Sequence, residues 1–178
     1  MPTFSNMKQL SKYLQKNCAN LQLANGKTMK QVMKEEAEYL RKLLVEEIER
    51  VYNSYDPKVY RRTMGLLESL RVDPVIQNGN ELSVRLWFDE KALHPSMFKD
   101  GNDGFVPILI DQGWQVKSGW HRNIPHFGFR PPSHFVRKAV EEYHRTSKYG
   151  FRIEVTYDPP RGSSWVEKFE GNGASETS

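Results

Sequence analysis

With 178 residues, 38% of them hydrophobic and 12% aromatic, the chain is long enough for one compact domain with a real core and too apolar for wholesale disorder. No apolar run approaches the ~18 residues of a membrane span, the start MPTFSNMKQL lacks a secretory signal, and Cys18, the only cysteine, excludes an internal disulfide. These features predict a soluble protein folded in a reducing cytoplasm. The net charge of +4 is uneven: residues 117–152 hold eight Lys or Arg against Glu141 and Glu142, with four histidines. Such a stretch suits nucleic acid, an acidic protein or plain solvation.

In chain order, Met7, Leu10, Leu14, Cys18 and Leu21 recur every three or four residues, the stripe of an amphipathic helix that Asn25 and Gly26 should end. Thr28 and Gln31 have the spacing of a capping box. Behind them Met29, Met33, Ala37, Leu40, Leu44, Ile48, Val51 and Tyr55 mark the longest helix, ending before Pro57. On its outer face Glu38 precedes Lys42, and Glu46 precedes Arg50, by four residues, pairs worth a few tenths of a kcal/mol.

From Leu70 the period falls to two. A strand to about Gln77, a turn at Asn78 and Gly79, and a second strand through Leu82, Val84, Leu86 and Phe88 predict an antiparallel hairpin. Residues 90–104 read as a long loop and 105–110 as a short buried segment. Residues 113–132 are irregular again, after which Ser133 is placed to cap a helix with the apolar face Phe135, Val136, Ala139, Val140 and Tyr143. A last strand should run over 151–157. The expected fold is α+β, an antiparallel sheet with a central hairpin packed against a long amphipathic helix and a shorter C-terminal helix. Its expected parts are an N-terminal helix (1–26), a core domain (27–157) and a flexible C-terminal tail (158–178) in which only Trp165 and Phe169 are apolar anchors.

Chemistry is mostly missing. No nucleophile elbow, phosphate-binding glycine loop or paired zinc ligands stand in the sequence, and no catalytic, cofactor or metal residue is assigned. Asp73 with Asp89, Glu90 and Lys91 superficially resembles a nuclease metal site. With the turn at Asn78 and Gly79, however, Asp73 faces Val84, and five further residues at ~3.3 Å each separate it from Asp89, too far to share an ion. His121, His126 and His134 fit no metal-ligand spacing and are better read as hydrogen-bonding loop residues. Trp114, Trp120, Phe127 and Phe129 share a Gly- and Pro-punctuated loop with Arg122 and Arg130. Trp and Arg dominate protein interfaces, so these six residues are a candidate partner interface. The same mixture could also pack on itself or stack on single-stranded nucleic acid.

The order of features resembles the tail-completion, or head-tail joining, family of long-tailed bacteriophages typified by lambda protein Z and the tenth gene product of the HK phage. Its turn pattern Thr-Gly-x-Leu-x-x-Ser-hydrophobic is matched by Thr63, Leu66, Ser69 and Leu70, with the glycine one place late at Gly65. Its hydrophobic run ending in acid-x-Gly is matched by Ile108, Leu109, Ile110, Asp111 and Gly113. Its Pro-Phe-hydrophobic-x-x-Ala helix start is matched by Phe135, Val136 and Ala139, with Pro132 displaced. The resemblance covers residues 29–143. It implies a structural virion protein without catalysis or cofactor, made in the host cytoplasm, that forms a six-fold ring at the neck, where the capsid connector meets the tail. Its partners would be further copies of itself, connector or adaptor proteins and tail proteins, and packaged DNA in the channel, with no membrane. The alternative function is nucleic-acid binding through residues 117–152.

Overall fold

A computed structural model describes residues 6–23, 25–54, 64–89, 92, 106–115, 129–158 and 163–170. The side chains of residues 15, 114, 115, 129 and 130 lie outside that description, as do Thr63, Trp120, Arg122, Phe127, His121, His126 and nearly all of the expected loop 90–104. The chain divides into two compact units, Met1–Arg41 with Arg71–Trp87, and Lys42–Leu70 with Phe88–Ser178. The expected class holds: helices combine with small antiparallel strand pairs, and a long helix packs on another helix.

Helix α1 (Met7–Asn17) starts where Asn6 accepts the Gln9 N–H on its side chain at 3.0 Å, satisfying one of the amides a helix start leaves without a partner. A single 3-10 turn, Cys18–Asn20, continues it, so the helix proper is shorter than its apolar stripe. The chain then turns at Gly26, whose φ of +77° favours glycine, and Met29 N–H returns to the Leu21 carbonyl at 3.0 Å. Helix α2 (Met29–Asn53) opens on the expected capping box. Thr28 N–H donates to Gln31 Oε1 at 2.8 Å, and Gln31 N–H donates to Thr28 Oγ1 at 3.2 Å. Val32, Ala37 and Leu40 are buried in the first unit, and Leu43, Leu44, Ile48 and Val51 in the second. The outer charges find other acids than the expected ones: Lys42 reaches Glu46, one turn after it in the chain, and Arg50 takes the buried Glu47, next to Glu46.

The expected hairpin is present but segmented. Strands β1 (Leu70–Val72) and β2 (Ile76–Asn78) replace one continuous strand, and β3 (Glu81–Ser83) and β4 (Leu86–Phe88) replace the other. The β2–β3 register pairs Asn78 with Glu81 and Ile76 with Ser83. The turn residues are therefore Gly79 and Asn80, one place beyond the expected Asn78 and Gly79, with Gly79 at φ +62°. Further along, Asp73 N–H donates to the Arg85 carbonyl at 2.9 Å. Three steps from Ile76 back to Asp73 thus oppose two from Ser83 to Arg85, a bulge of one residue. Pro74 lies inside it, and a residue without an N–H cannot serve the ladder. In consequence Asp73 faces Arg85 rather than Val84, and its carboxylate accepts the Trp87 indole N–H at 2.9 Å.

In the second unit, α3 (Gly65–Ser69), α4 (Val106–Gln112) and α5 (Phe135–Thr146) bring Leu66, Leu70, Ile110, Phe135, Ala139, Val140 and Tyr143 into the core. Phe88 meets Phe135 edge to face at 6.1 Å. Strand β5 (Trp114–Gln115) pairs antiparallel with β6 (Phe129–Arg130). Strand β7 (Ile153–Tyr157) pairs antiparallel with β8 (Trp165–Phe169) over five registers. The last pair corrects the expected flexible tail: Trp165 and Phe169 are strand residues. Trp165 stacks on Tyr157 at 4.8 Å, and Glu167 takes Arg137, contacts that a local reading of a Gly- and Ser-rich segment cannot reveal.

Met64, just before α3, stands at φ +56° with its side chain 46% exposed. A left-handed conformation costs a residue with a Cβ roughly 1–2 kcal/mol, and little packing is at stake. Met64→Gly is therefore expected to raise the unfolding free energy by about 1 kcal/mol in urea titration, whereas a loss of stability would refute the left-handed assignment.

Candidate functional site

Residues from two of the stretches singled out in the sequence, 108–113 and 133–139, meet at one carboxylate, and Tyr157 joins them there. Helix α4 ends in Asp111 and Gln112, and Gly113 follows at φ +73°, where a glycine lets the chain leave the helix without strain. Asp111 is 1% exposed. Its Oδ1 accepts the backbone N–H of Val136 at 2.9 Å, in the first turn of α5, so a side chain distant in sequence caps that helix. Its Oδ2 accepts the Tyr157 hydroxyl at 3.0 Å and the Gln112 amide at 2.7 Å. Its backbone carbonyl accepts the His134 N–H at 2.9 Å. The positive end of the α5 dipole faces the negative charge. A buried charge without partners would cost several kcal/mol, and these bonds offset that cost.

Ser133 corrects the expectation that it caps α5. Its Oγ donates to the Ile110 carbonyl at 2.7 Å and its N–H to the same oxygen at 3.2 Å. The N-cap position falls on His134, at φ +51° and without a side-chain cap bond, and Asp111 supplies the missing acceptor. Residues 110–115 and 129–136 are thereby joined at Ile110, at Asp111 and through the register Trp114 with Arg130 and Gln115 with Phe129. Of the six candidate interface residues, the structure brings the backbones of Trp114, Phe129 and Arg130 together in the β5–β6 pair. Trp120, Arg122 and Phe127 lie outside the described residues.

The other motif residues are structural in their surroundings. Gly65, Leu66, Ser69 and Leu70 are buried. Ser69 Oγ donates to the Leu66 carbonyl at 2.8 Å, and the Ser69 carbonyl accepts the Asp89 N–H at 2.8 Å. Phe135 and Ala139 are fully buried. The pattern's glycine position is occupied by Met64, the residue in the left-handed conformation, with Gly65 already helical. Tyr157 is the participant that sequence reading missed. Only its place at the end of a predicted strand was visible.

Among the described residues no group of three or more His, Cys, Asp or Glu could hold a metal ion, and no helix is long and apolar enough to cross a membrane. Arg137, Arg145 and Arg152 are the arginines of the basic stretch whose side chains are described. They pair with Glu167, Glu142 and Glu154 respectively, and hydrogen bonding to Arg152 lowers the Glu154 pKa from its ordinary value.

The site therefore belongs to an α+β unit in which one buried acid ties α4, α5 and β7 together. The family model of YomN matches residues 6–154, and the chain belongs to the YomN family. That family bears a phage-derived name, of the kind given to genes of an SPBc2-like Bacillus phage, and the chain is a phage-associated protein. No curated protein and no solved structure matches the chain.

The bonds at this site set the expected outcomes of its variants. Asp111→Ala should cost about 3 kcal/mol, since it leaves the Tyr157 hydroxyl and a helix-start amide buried without their acceptor. Tyr157→Phe should cost about 1–2 kcal/mol, and both are checked by chemical denaturation. Burial first, and then the charge of Asp111, push the Tyr157 hydroxyl far above the usual tyrosine range. A group whose pKa is raised by folding contributes its stability in full below the unfolded value of ~10. That contribution is lost as pH climbs from there toward the folded value. The wild type should accordingly lose its advantage over Tyr157→Phe above about pH 10, and phenolate absorbance of the two native proteins should rise together between about pH 9 and 11. An extra tyrosine ionising in the wild type over that range would contradict the buried bond.

Proposed function

We propose that the chain is a structural virion protein of a tailed phage, a neck or tail-completion subunit that forms a ring joining the capsid connector to the tail. The observation that carries the proposal is that all three motif stretches are buried, and buried in the same unit. Leu66, Ser69 and Leu70, then Asp111, then Phe135 and Ala139 are all buried in the second unit. Residues that share a core keep a fixed sequence spacing because packing demands it, and so the order of these motifs carries more weight than any one of them. Membership of a phage-associated family supports the same setting.

A non-catalytic role fits the acid itself, whose two oxygens are taken by Val136, Gln112 and Tyr157. A ring subunit needs a rigid base for contacts with its neighbours, and the Asp111 bonds help to fix residues 110–115 and 129–136, between which Trp120, Arg122 and Phe127 fall in the sequence. The partners are further copies of the chain, connector or adaptor and tail proteins, with packaged DNA in the channel, and the protein resides in the virion. The alternative, nucleic-acid binding through residues 117–152, draws less support because Arg137, Arg145 and Arg152 are engaged by carboxylates.

A nonsense mutation in the gene should yield DNA-filled heads and separate tails by electron microscopy, and added purified protein should join them. Complete particles without the protein, or heads that never fill, would overturn the neck assignment. Trp114→Ala is expected to impair joining by at least about tenfold while the protein stays folded, as interface hot spots do. Unfolding of that variant would instead assign Trp114 to the core.

A further inference from the structure

The chain holds three Asn-Gly pairs, at residues 25–26, 78–79 and 172–173, of which the first two lie among the described residues. Both are exposed, with the glycine in the left-handed region, Gly26 at φ +77° and Gly79 at φ +62°. Their amides differ. The Gly26 N–H donates to the Leu23 carbonyl at 2.9 Å, and the Asn25 side-chain oxygen accepts the Lys27 N–H at 3.1 Å, so both groups are engaged. At the hairpin tip the Gly79 carbonyl accepts the Gln77 side-chain amide at 2.9 Å. The Gly79 N–H and the Asn78 side chain have no hydrogen-bond partner among the described residues, and a Cβ added at Gly79 would meet nothing within 4 Å.

We propose that Asn78 is a site of spontaneous modification, where the open Gly79 amide converts the asparagine to aspartate and isoaspartate. The Gly79 nitrogen attacks Asn78 Cγ. A bond between that nitrogen and Cγ forms as the Cγ–Nδ2 bond breaks, and the side-chain nitrogen leaves as ammonia, carrying the proton that the Gly79 nitrogen gives up. Water then opens the cyclic imide. Cleavage at Cγ leaves aspartate, and cleavage at the main-chain carbonyl leaves isoaspartate; no oxidant or reductant takes part. A glycine on the far side of the peptide bond leaves the nitrogen open to approach, and an N–H held by a carbonyl must first leave its acceptor, which costs free energy. Asn78 is also the last residue of β2, paired with Glu81 and with nothing beyond it, so fraying of one terminal pair lets it reach the attacking geometry.

The change is not neutral for the first unit. The register sets Asn78 opposite Glu81, so the new carboxylate faces another, and like charges directly opposite destabilise a strand pair. Isoaspartate also lengthens the backbone by one atom, at a tight turn whose length fixes the register. The hairpin therefore loosens as the protein ages. The inference does not rest on the neck assignment, because it concerns the purified chain alone.

The test is peptide mapping by mass spectrometry of the full chain kept in warm, mildly alkaline buffer, native and in urea, with an isoaspartate-specific methyltransferase as the second readout. In the native chain Asn78 should convert at least about fivefold faster than Asn25, the advantage of one backbone hydrogen bond that need not be broken. In urea the two should convert at about the same rate. Aged protein should unfold at a lower urea concentration than fresh protein. Asn78→Asp should shift unfolding in the same direction, and Glu81→Gln added to it should recover part of the loss. Native conversion of Asn25 as fast as that of Asn78 would overturn the proposal, as would an Asn78 that persists in the native chain while it is lost in urea. A loss in Asn78→Asp that Glu81→Gln does not reduce would overturn the charge opposition at the turn.

Discussion

The second unit is organised by one buried carboxylate. Asp111 is placed at the end of a short helix, and three neighbours need its charge: the first turn of α5, the side chain of Gln112 and the hydroxyl of Tyr157. A carboxylate taken from water this completely is tolerated only where donors replace its hydration. The donors come from residues 112, 136 and 157, so the bonds can all form only when the intervening chain has the right path. The acid thus selects among ways of packing α4, α5 and β7, in addition to whatever stability it contributes.

The stretches on either side of residues 116–128 are held by Ser133 on the Ile110 carbonyl, by His134 on the Asp111 carbonyl and by the β5–β6 pair. Fold and proposed function connect at this point, since the proposed ring subunit needs a fixed base for contacts with its neighbours. The first unit contributes differently, since its exposed apolar residues lie on α1 and at Ile76 in β2.

Much of the local structure was legible in the sequence. The Thr28 and Gln31 capping box, the long helix behind it and the apolar face of α5 follow from spacings that geometry enforces. The hairpin was legible too, although its turn slipped by one residue. The bulge at Pro74 separates the register near the turn from the register near Asp73, and a pattern of alternation does not encode where such an extra residue falls. Strand β8 was hidden because its order depends on Tyr157, Arg137 and the ladder of β7 rather than on its own composition. The same holds for the site. Asp111 and Gly113 were visible as a motif, but the capping of α5 by an acid twenty-five residues away required the fold. Ser133 looked like the cap because sequence reasoning searches only the adjacent residues for an acceptor.

The most direct test of this account is the exchange rate of the Val136 backbone amide with solvent deuterium. Amides in the first turn of a helix ordinarily lack a partner within the helix and exchange fast. Held by the Asp111 carboxylate at 2.9 Å, the Val136 amide is predicted to exchange only through unfolding of the whole unit, as slowly as the amides of the core residues Ala139 and Val140. Exchange at the rate of an unprotected helix start, with those core amides still slow, would contradict the central place given to Asp111.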